Sequence, residues 1–365
     1  MRFVFLIFAI VLTWVLTMVN PSGLGITYDS PGKTNMLIGI WCVCFMLTKR
    51  CFLRTLTTNS ILVFFTLLSF VLLPLITVGS KDGLSCLMMV PLVYCFSELK
   101  VTEREMLFSG YIIAGLGIFV LLVYTRTGIL SGWNDNHISM IGLFSYIYYS
   151  ISLYGNMTGR KVTIGVAISL LYIFLLSTTN SRSGVIFIVI SVVFAYKYGW
   201  FKDLLINKNF VFWALNVPLI VSLIFIFIPD FFLFQYFEKW SIENYGKSAF
   251  NGRDILWRLA YERLFETYLV GKGEIFINHH NSAVAVLSVF GVVGYICWYK
   301  MFAKPLLFIR EYLNDNLIIG FIASFFLIFW QQSFELGLVS ETPNMIPFMI
   351  LGLGLSRARI LKNIK

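Results

Sequence analysis

The chain has 365 residues, of which 58% are hydrophobic and 13% are charged, and its mean hydropathy is +0.82. Soluble domains carry about 25% charged residues, so this composition excludes an ordinary soluble protein and indicates a membrane protein that crosses the bilayer several times. The formal net charge of +10 does not indicate a nucleic-acid surface, because the basic residues lie in short segments between apolar runs.

Apolar runs predict about twelve transmembrane helices, within a range of about 10 to 12 because several runs are shorter than the roughly 20 residues that a span needs. The runs lie at about residues 3–19, 34–48, 60–78, 84–97, 107–125, 138–154, 162–178, 184–200, 210–229, 283–302, 315–335 and 345–356. The predicted fold class is an all-α polytopic integral membrane protein, with residues 1–365 forming a single membrane domain. The first run starts like a secretory signal, but no small-residue cleavage site follows, so it is interpreted as a span.

The basic residues predict the orientation of these spans. If the first residue is cytoplasmic, the inner segments carry most of the basic residues, and the five short outer loops hold only Lys33, Lys81, Arg126 and Arg182. Basic residues concentrate in cytoplasmic segments, so both termini are predicted to be cytoplasmic. Residues 230–282, between the ninth and tenth spans, then form one large extracytoplasmic loop.

A polar turn, residues 177–184, separates the seventh and eighth spans at the predicted outer face and contains Arg182. Arginine beside hydrocarbon is costly unless it is paired or reaches the interface. Two interpretations stay open. Either Arg182 binds a lipid phosphate from an ordinary turn, or its planar guanidinium clamps a pyrophosphate through two parallel hydrogen bonds.

The large loop contains a predicted amphipathic helix that begins at residues 251–254 and runs to about Leu269. At 100° per residue, its apolar and charged residues separate onto opposite arcs. The apolar arc holds Leu256, Trp257, Ala260, Tyr261, Leu264 and Tyr268, and the charged arc holds Asp254, Arg258, Glu262 and Glu266. This helix is expected to lie along the membrane surface or to cap the bundle.

Arg253 departs from the pattern, because its angle places it on the apolar arc between Leu256 and Leu264. It stands at the helix N-terminus, where backbone N–H groups without helical partners favour anions. One interpretation is therefore an anion site. The other is that Arg253 extends along apolar surface into the lipid headgroups.

His279, His280 and Asn281 precede the tenth span, where the loop returns to the membrane. Histidine titrates near neutral pH, so this pair is a candidate general base. Metal binding is the competing interpretation, but adjacent histidines do not readily ligate one ion, and no carboxylate or cysteine lies nearby at a familiar spacing. No metal and no cofactor are predicted.

The eleventh span ends in a polar stretch that includes Gln331, Gln332, Ser333 and Glu335, and Glu341 follows shortly after. Polar side chains so close to a membrane face usually line a cavity, and Gln331 and Glu335 are candidate contacts to sugar hydroxyls. Ordinary helix packing is the alternative.

Four stretches follow one another in the second half of the chain. They are Ser181-Arg182-Ser183-Gly184; Asn251-Gly252-Arg253 with Trp257 before Val270-Gly271-Lys272-Gly273; His280-Asn281-Ser282 followed by Leu287, Gly291 and Gly294; and a closing pair of spans with a basic tail. In this order and spacing they resemble the O-antigen ligase and polymerase family of bacterial polysaccharide assembly. The resemblance covers roughly residues 170–300.

The resemblance implies a metal-independent glycosyl transfer on the outer face of the cytoplasmic membrane of a bacterium. The donor would be an oligosaccharide linked through pyrophosphate to a polyprenol, commonly undecaprenol. Carried over residue by residue, Arg182 and Arg253 would bind the pyrophosphate. His280 would position or deprotonate the acceptor hydroxyl, with Asn281 holding the loop or the imidazole and His279 beside the substrate.

A carboxylate is the usual base in glycosyl transfer, so Glu335 or Glu274 is a rival to His280. Within the family, a polymerase moves the growing chain onto a new lipid-linked repeat unit to build O-antigen or capsular polysaccharide. A ligase moves the finished chain onto lipid A core. The compact chain and modest outer loop favour the polymerase, and the ligase is the alternative.

Two other classes stay open, namely a transporter of lipid-linked sugars and a structural membrane protein. A transporter is expected to show two pseudo-repeated halves with interrupted helices, and the sequence shows no such repeat. The expected partners are the lipid-linked oligosaccharide, membrane lipid, and a chain-length regulator and flippase of the same pathway, but no nucleic acid.

Overall fold

The computed structural model describes residues 2–19, 39–41, 60–80, 82–87, 89–127, 135–155, 159–179, 182–228, 232–246, 248, 252–273, 280–334, 338 and 344–363. Throughout these ranges the regular structure is helical, and they contain no strand. The predicted all-α class is therefore confirmed.

The helices are labelled here in chain order. They are α1 (Arg2–Val19), α2 (Ser60–Leu67), α3 (Leu73–Val78), α4 (Asp82–Leu87), α5 (Met89–Ser97), α6 (Glu103–Thr127), α7 (Asp135–Ser150), α8 (Arg160–Ser177), α9 (Arg182–Tyr196), α10 (Tyr198–Ile206), α11 (Lys208–Phe227), α12 (Phe232–Tyr245), α13 (Arg253–Glu266), α14 (Ser282–Arg310), α15 (Asn316–Gln331) and α16 (Ile346–Lys362). A π-helical turn (Leu68–Leu72) joins α2 to α3, and a 3₁₀ turn (Ile151–Leu153) extends α7.

The predicted spans coincide with helices, except that most of 34–48 lies outside the described residues. Three described helices, α6, α11 and α14, are long and apolar enough to cross a membrane, and five shorter apolar helices accompany them. These helices support a membrane protein. The number twelve stays a prediction.

The predicted span at 184–200 is not one straight helix. Its helix α9 ends at Tyr196, and the chain bends by 87° into α10. Lys197 has non-helical torsions at the bend (φ −105°, ψ 37°). The bend lets α10 bury Phe201 and Leu205, which lie one turn apart, against the bundle.

Helix α15 is the centre of the bundle, and its residues from Leu317 to Phe329 are all buried. Its aromatic rings interlock with neighbouring helices. Phe329 lies 5.3 Å from Trp298 of α14, and Phe326 lies 5.6 Å from Phe210 of α11, measured between ring centroids. Such a helix, apolar all round, is stable only when other helices surround it.

Polar contacts close the end of the bundle where α15 begins. Asp315 caps α15 by accepting from the Ile318 N–H at 3.2 Å and forms an ion pair with Arg357 of α16 at 2.6 Å. Arg359 of α16 pairs with Glu98 at 2.8 Å. This end, defined by Asp315, Arg357 and Arg359, is called the basic end below.

Helix α14 is not continuous, because Gly291 interrupts it with φ 69° and ψ −174°. Residues 268–273, called the insert, dock at this interruption. The Lys272 and Gly273 N–H groups donate to the Ser288 and Val289 carbonyls at 3.1 and 2.7 Å, and the Val292 N–H donates to Leu269 at 3.0 Å. The insert thus forms hydrogen bonds with backbone groups that lack a helical partner where α14 is interrupted.

The insert corrects two expectations. The predicted loop helix reaches only Glu266 rather than Leu269, because Tyr268 and Leu269 adopt positive φ values of 51° and 67°. The predicted continuous span 283–302 is broken inside. Glycines at the docking point allow the two backbones to approach, since a Cβ on Gly271 would lie 2.4 Å from the Gly291 nitrogen.

We expect Gly291→Ala to cost at least about 3 kcal/mol of folding stability. The new Cβ would lie 2.2 Å from the Val270 carbonyl oxygen, and alanine disfavours the positive φ. Thermal unfolding of the purified protein in detergent measures the loss. Gly115→Ala is the matched control, because no atom lies within 4 Å of its added Cβ. Equal unfolding midpoints for the two variants would contradict the docked insert.

Candidate functional site

Asn281 organises the start of α14. Its Oδ1 accepts hydrogen bonds from the Ala283 and Val284 N–H groups at 3.0 and 3.1 Å, which caps the helix. Its Nδ2 donates to the Pro218 carbonyl at 2.8 Å. Asn281 is fully buried, so all three bonds form without competition from solvent.

Pro218 lies in the middle of α11 and has no N–H to donate to the Ala214 carbonyl one turn earlier. The indole Nε1 of Trp330 donates to that carbonyl at 2.8 Å. The end of α15 and the start of α14 therefore both bind α11 around its proline. This contact fixes where the three helices meet.

A cluster of buried polar side chains lies at this meeting point. The Ser282 N–H donates to the Gln332 carbonyl at 3.0 Å, and its hydroxyl lies 3.4 Å from Gln332 Oε1. Gln332 Oε1 also accepts from the Leu338 N–H at 3.1 Å, and Gln332 Nε2 donates to Gln331 Oε1. Gln331 and Gln332 are each 1% exposed, so they face protein interior rather than lipid or water.

Arg253 is the first residue of α13 and is half-buried. Gly252 precedes it with a left-handed φ of 73°, which turns the chain into the helix. The guanidinium carbon of Arg253 lies 6.0 Å from the centroid of the Phe334 ring, within reach of a cation–π contact. Because Phe334 follows the buried glutamines at the end of α15, the structure brings Arg253 to the polar cluster.

The rest of α13 packs as its sequence pattern predicts. Trp257, Ala260 and Leu264 are buried, and the whole predicted charged arc is exposed. Trp257 packs edge to face against Phe225 of α11 at 5.3 Å. The prediction that Tyr268 belongs to the apolar arc is wrong, since this residue lies beyond the helix and is 90% exposed.

Tyr261 joins α13 to α11 through its hydroxyl, which lies 2.9 Å from Ser222 Oγ. Burial raises the pKa of Tyr261 to about 12, and the hydrogen bond with Ser222 lowers it in part. The neutral phenol is therefore the form that the packed α13 favours.

His280 immediately precedes the capping asparagine and is half-buried. Its φ of 46° is left-handed, an uncommon conformation for a residue with a Cβ. Such backbone strain persists only where surrounding contacts impose it, and here the three hydrogen bonds of Asn281 follow directly. The backbone of His280 is therefore fixed directly before the start of α14.

Helix α7 runs antiparallel to α15. A Cβ on Gly320 would lie 2.4 Å from the Ile151 carbonyl oxygen, and Ser324 Oγ, one turn further along α15, donates to the Ile147 carbonyl at 3.1 Å. The first turn of α7 therefore lies at the Gln331 end of the bundle, opposite the basic end.

Arg182 begins α9 at this same end. A Cβ on Gly184 would lie 2.3 Å from the Oγ of Ser139, the fifth residue of α7, so the two helix starts are in close contact. The backbone of Arg182 thus shares an end of the bundle with Arg253 and His280. The Arg182 side chain and the predicted residues His279, Glu335 and Glu274 lie outside the described residues.

Sequence reasoning missed three residues that support this site, namely Pro218, Trp330 and Phe334. A proline inside a predicted span was a usable signal, because it leaves a carbonyl that another helix must satisfy. The pairing of Trp330 with that carbonyl depends on tertiary contact and had no local signal. Over the described residues, no three His, Cys, Asp or Glu side chains lie close enough together to hold a metal ion.

No protein-family model, curated protein or solved structure matched this chain.

We expect Asn281→Ala to lower the free energy of unfolding by at least about 2 kcal/mol, because it removes a helix cap and a buried hydrogen bond to Pro218. Asn281→Ser should lose about half as much, since a serine hydroxyl still caps α14 but is too short for Pro218. Chemical unfolding followed by tryptophan fluorescence gives both values. An Asn281→Ala variant as stable as the wild type would contradict the clamp.

The raised pKa of Tyr261 predicts that the folded protein loses stability at alkaline pH. The unfolded phenol ionises near pH 10 and the folded one near 12, so the stabilisation is present below pH 10 and is lost between pH 10 and 12. Between pH 10 and 12, the free energy of unfolding of the wild type should therefore fall by about 2 kcal/mol more than that of Tyr261→Phe. Tyr236→Phe, at a position 65% exposed on α12, is the control. Identical alkaline profiles for wild type and Tyr261→Phe would refute the assignment.

Proposed function

We propose that this protein is a glycosyltransferase of the O-antigen ligase and polymerase type that joins lipid-linked oligosaccharide repeat units. The reaction takes place on the outer face of the cytoplasmic membrane of a bacterium, with both termini of the chain in the cytoplasm. The observation that carries the proposal is the meeting of Arg253, His280 and the buried end of α15 at one end of an apolar bundle.

The donor is an oligosaccharide attached to a polyprenyl pyrophosphate. Arg253 and Arg182 bind its pyrophosphate and stabilise the charge that grows there as the glycosidic C–O bond breaks. A guanidinium suits this role because its planar fork donates two parallel hydrogen bonds to phosphate oxygens. The contact with the Phe334 ring holds the Arg253 guanidinium against the end of α15.

The acceptor is a sugar hydroxyl of a second lipid-linked glycan. His280 takes the proton of this hydroxyl as the oxygen attacks the donor sugar, and polyprenyl pyrophosphate leaves with the electron pair of the broken bond. Asn281 positions His280 through its cap on α14 and its bond to Pro218. Glu335 and Glu274 are the rival bases, and Gln331 and His279 are candidate sugar contacts.

A polymerase is favoured over a ligase. A ligase must bind the large lipid A core as its acceptor, and the outer loop of this chain is modest in size. The alternative has a direct test. Transfer of pre-assembled polymer onto purified core lipid by the purified protein would assign the ligase reaction instead. The membrane, a chain-length regulator and a flippase of the same pathway are the proposed partners.

Transport of lipid-linked sugars is a second candidate, and the interruption of α14 at Gly291 favours it. In transporters, open backbone groups at such an interruption bind the cargo or a coupling ion. Here, the insert occupies several of these groups with its own backbone. The transferase therefore accounts for more of the site.

The proposal is tested by complementing a strain that lacks the gene with Arg182→Ala, Arg253→Ala or His280→Ala. Each variant should leave single-repeat glycan on a gel, because losing one preorganised donor costs roughly 100- to 1000-fold in rate. Arg253→Lys should restore only part of the ladder, since lysine keeps the charge but not the fork.

A matched control separates chemistry from folding. Arg258→Ala removes an exposed arginine from the opposite face of α13. It should give wild-type ladders at wild-type membrane expression. Full ladders from all three site variants would exclude the proposed site and favour the transporter.

A further inference from the structure

The bend between α9 and α10 forms an elbow at the side of the bundle away from the candidate site. Helix α9 belongs to the bundle, so a helix turned by 87° from it runs roughly in the plane of the membrane. Phe201 and Leu205 fix α10 to the core, and Arg310 of α14 donates to the Leu205 and Ile206 carbonyls at its C-terminus. The elbow is therefore a rigid part of the fold.

Exposed aromatic side chains surround the elbow. Tyr198 and Trp200 of α10 are 38% and 55% exposed, and Tyr196 at the end of α9 is 40% exposed. Tyrosine and tryptophan favour the boundary between hydrocarbon and headgroups, where a ring meets lipid and its polar atom meets water. Their position indicates that α10 lies at headgroup depth.

Lysines lie at the same depth along the bundle as these exposed rings. Lys197 stands at the bend, Lys202 lies on α10, and Lys208 opens α11.

These lysines are not neutralised by the protein. Among the described residues, none of Lys197, Lys202 and Lys208 forms an ion pair with a carboxylate. Lys202 approaches only the amide oxygen of Asn314, at 3.5 Å. The arginines of the basic end behave differently, since Arg357 and Arg359 each pair with an acid. The three lysines outnumber Asp203, the acid on α10, so the elbow keeps a net positive charge facing the headgroup layer.

We propose that the elbow is a binding site for anionic phospholipid headgroups, built from Lys197, Lys202 and Lys208 beside the exposed rings of α10. An anionic phosphodiester matches the charge of the lysines, and its acyl chains match the apolar surface of α11, where Phe212 and Trp213 are 49% and 59% exposed. This inference does not depend on the proposed glycosyl transfer.

The test uses the full chain in detergent micelles, with thermal unfolding measured while phosphatidylglycerol or phosphatidylcholine is added. The wild-type midpoint should rise to a plateau with phosphatidylglycerol only. A basic residue at an anionic surface strengthens binding about fivefold, so the triple variant Lys197→Gln, Lys202→Gln, Lys208→Gln should need roughly 100-fold more phosphatidylglycerol. Added salt should weaken the wild-type response.

Lys161→Gln, at an exposed lysine of α8, is the control and should respond as the wild type does. Equal midpoints of all variants in phosphatidylcholine verify that the triple variant is folded. The proposal is overturned if the triple variant responds to phosphatidylglycerol like the wild type, or if both lipids act equally. An identical shift with inorganic phosphate would assign a free-anion site instead.

Discussion

The architecture of the candidate site depends on how α11 accommodates its proline. Pro218 leaves the Ala214 carbonyl without its helical donor, and in an apolar environment such a group costs several kcal/mol unless another donor reaches it. Trp330 supplies that donor from α15, and Asn281 donates from the start of α14 to the carbonyl of Pro218 itself. One helix defect thereby sets the relative positions of three helices, and the positions of the candidate site residues follow from them.

The same principle accounts for the composition of the meeting point. Buried amides and hydroxyls are stable only when they bind one another, and Ser282, Gln331 and Gln332 do so. Such a network is directional, unlike the aromatic packing around α15, so it fixes rotation as well as distance. Half-buried Arg253 and His280 then lie at the border of a rigid polar cluster, which is where preorganised charge has its greatest effect.

Composition and periodicity predicted much of the fold, because hydrocarbon demands long apolar helices and the arcs of α13 follow from a 3.6-residue repeat. The predictions failed where backbone geometry depends on distant contacts. The local sequence around Tyr196 does not predict the elbow, because the bend is stabilised by the burial of Phe201 and Leu205. The interruption at Gly291 likewise needs the insert, which binds it from outside the helix. Arg253 and Asn281 were identified from their types and positions, whereas Trp330 and Phe334 matter only through their partners.

The docked insert also constrains how the protein can be assembled. The part of α14 before Gly291 rises only about 13 Å, less than half the thickness of a hydrocarbon core, so it cannot enter the bilayer alone as a stable span. Its open carbonyls at residues 288 and 289 bond to chain that precedes it in synthesis. The insert is thus available when this half-helix emerges from the ribosome, and the two must be integrated together. Burial of the interrupted helix in hydrocarbon therefore requires the docked insert as its hydrogen-bond partner.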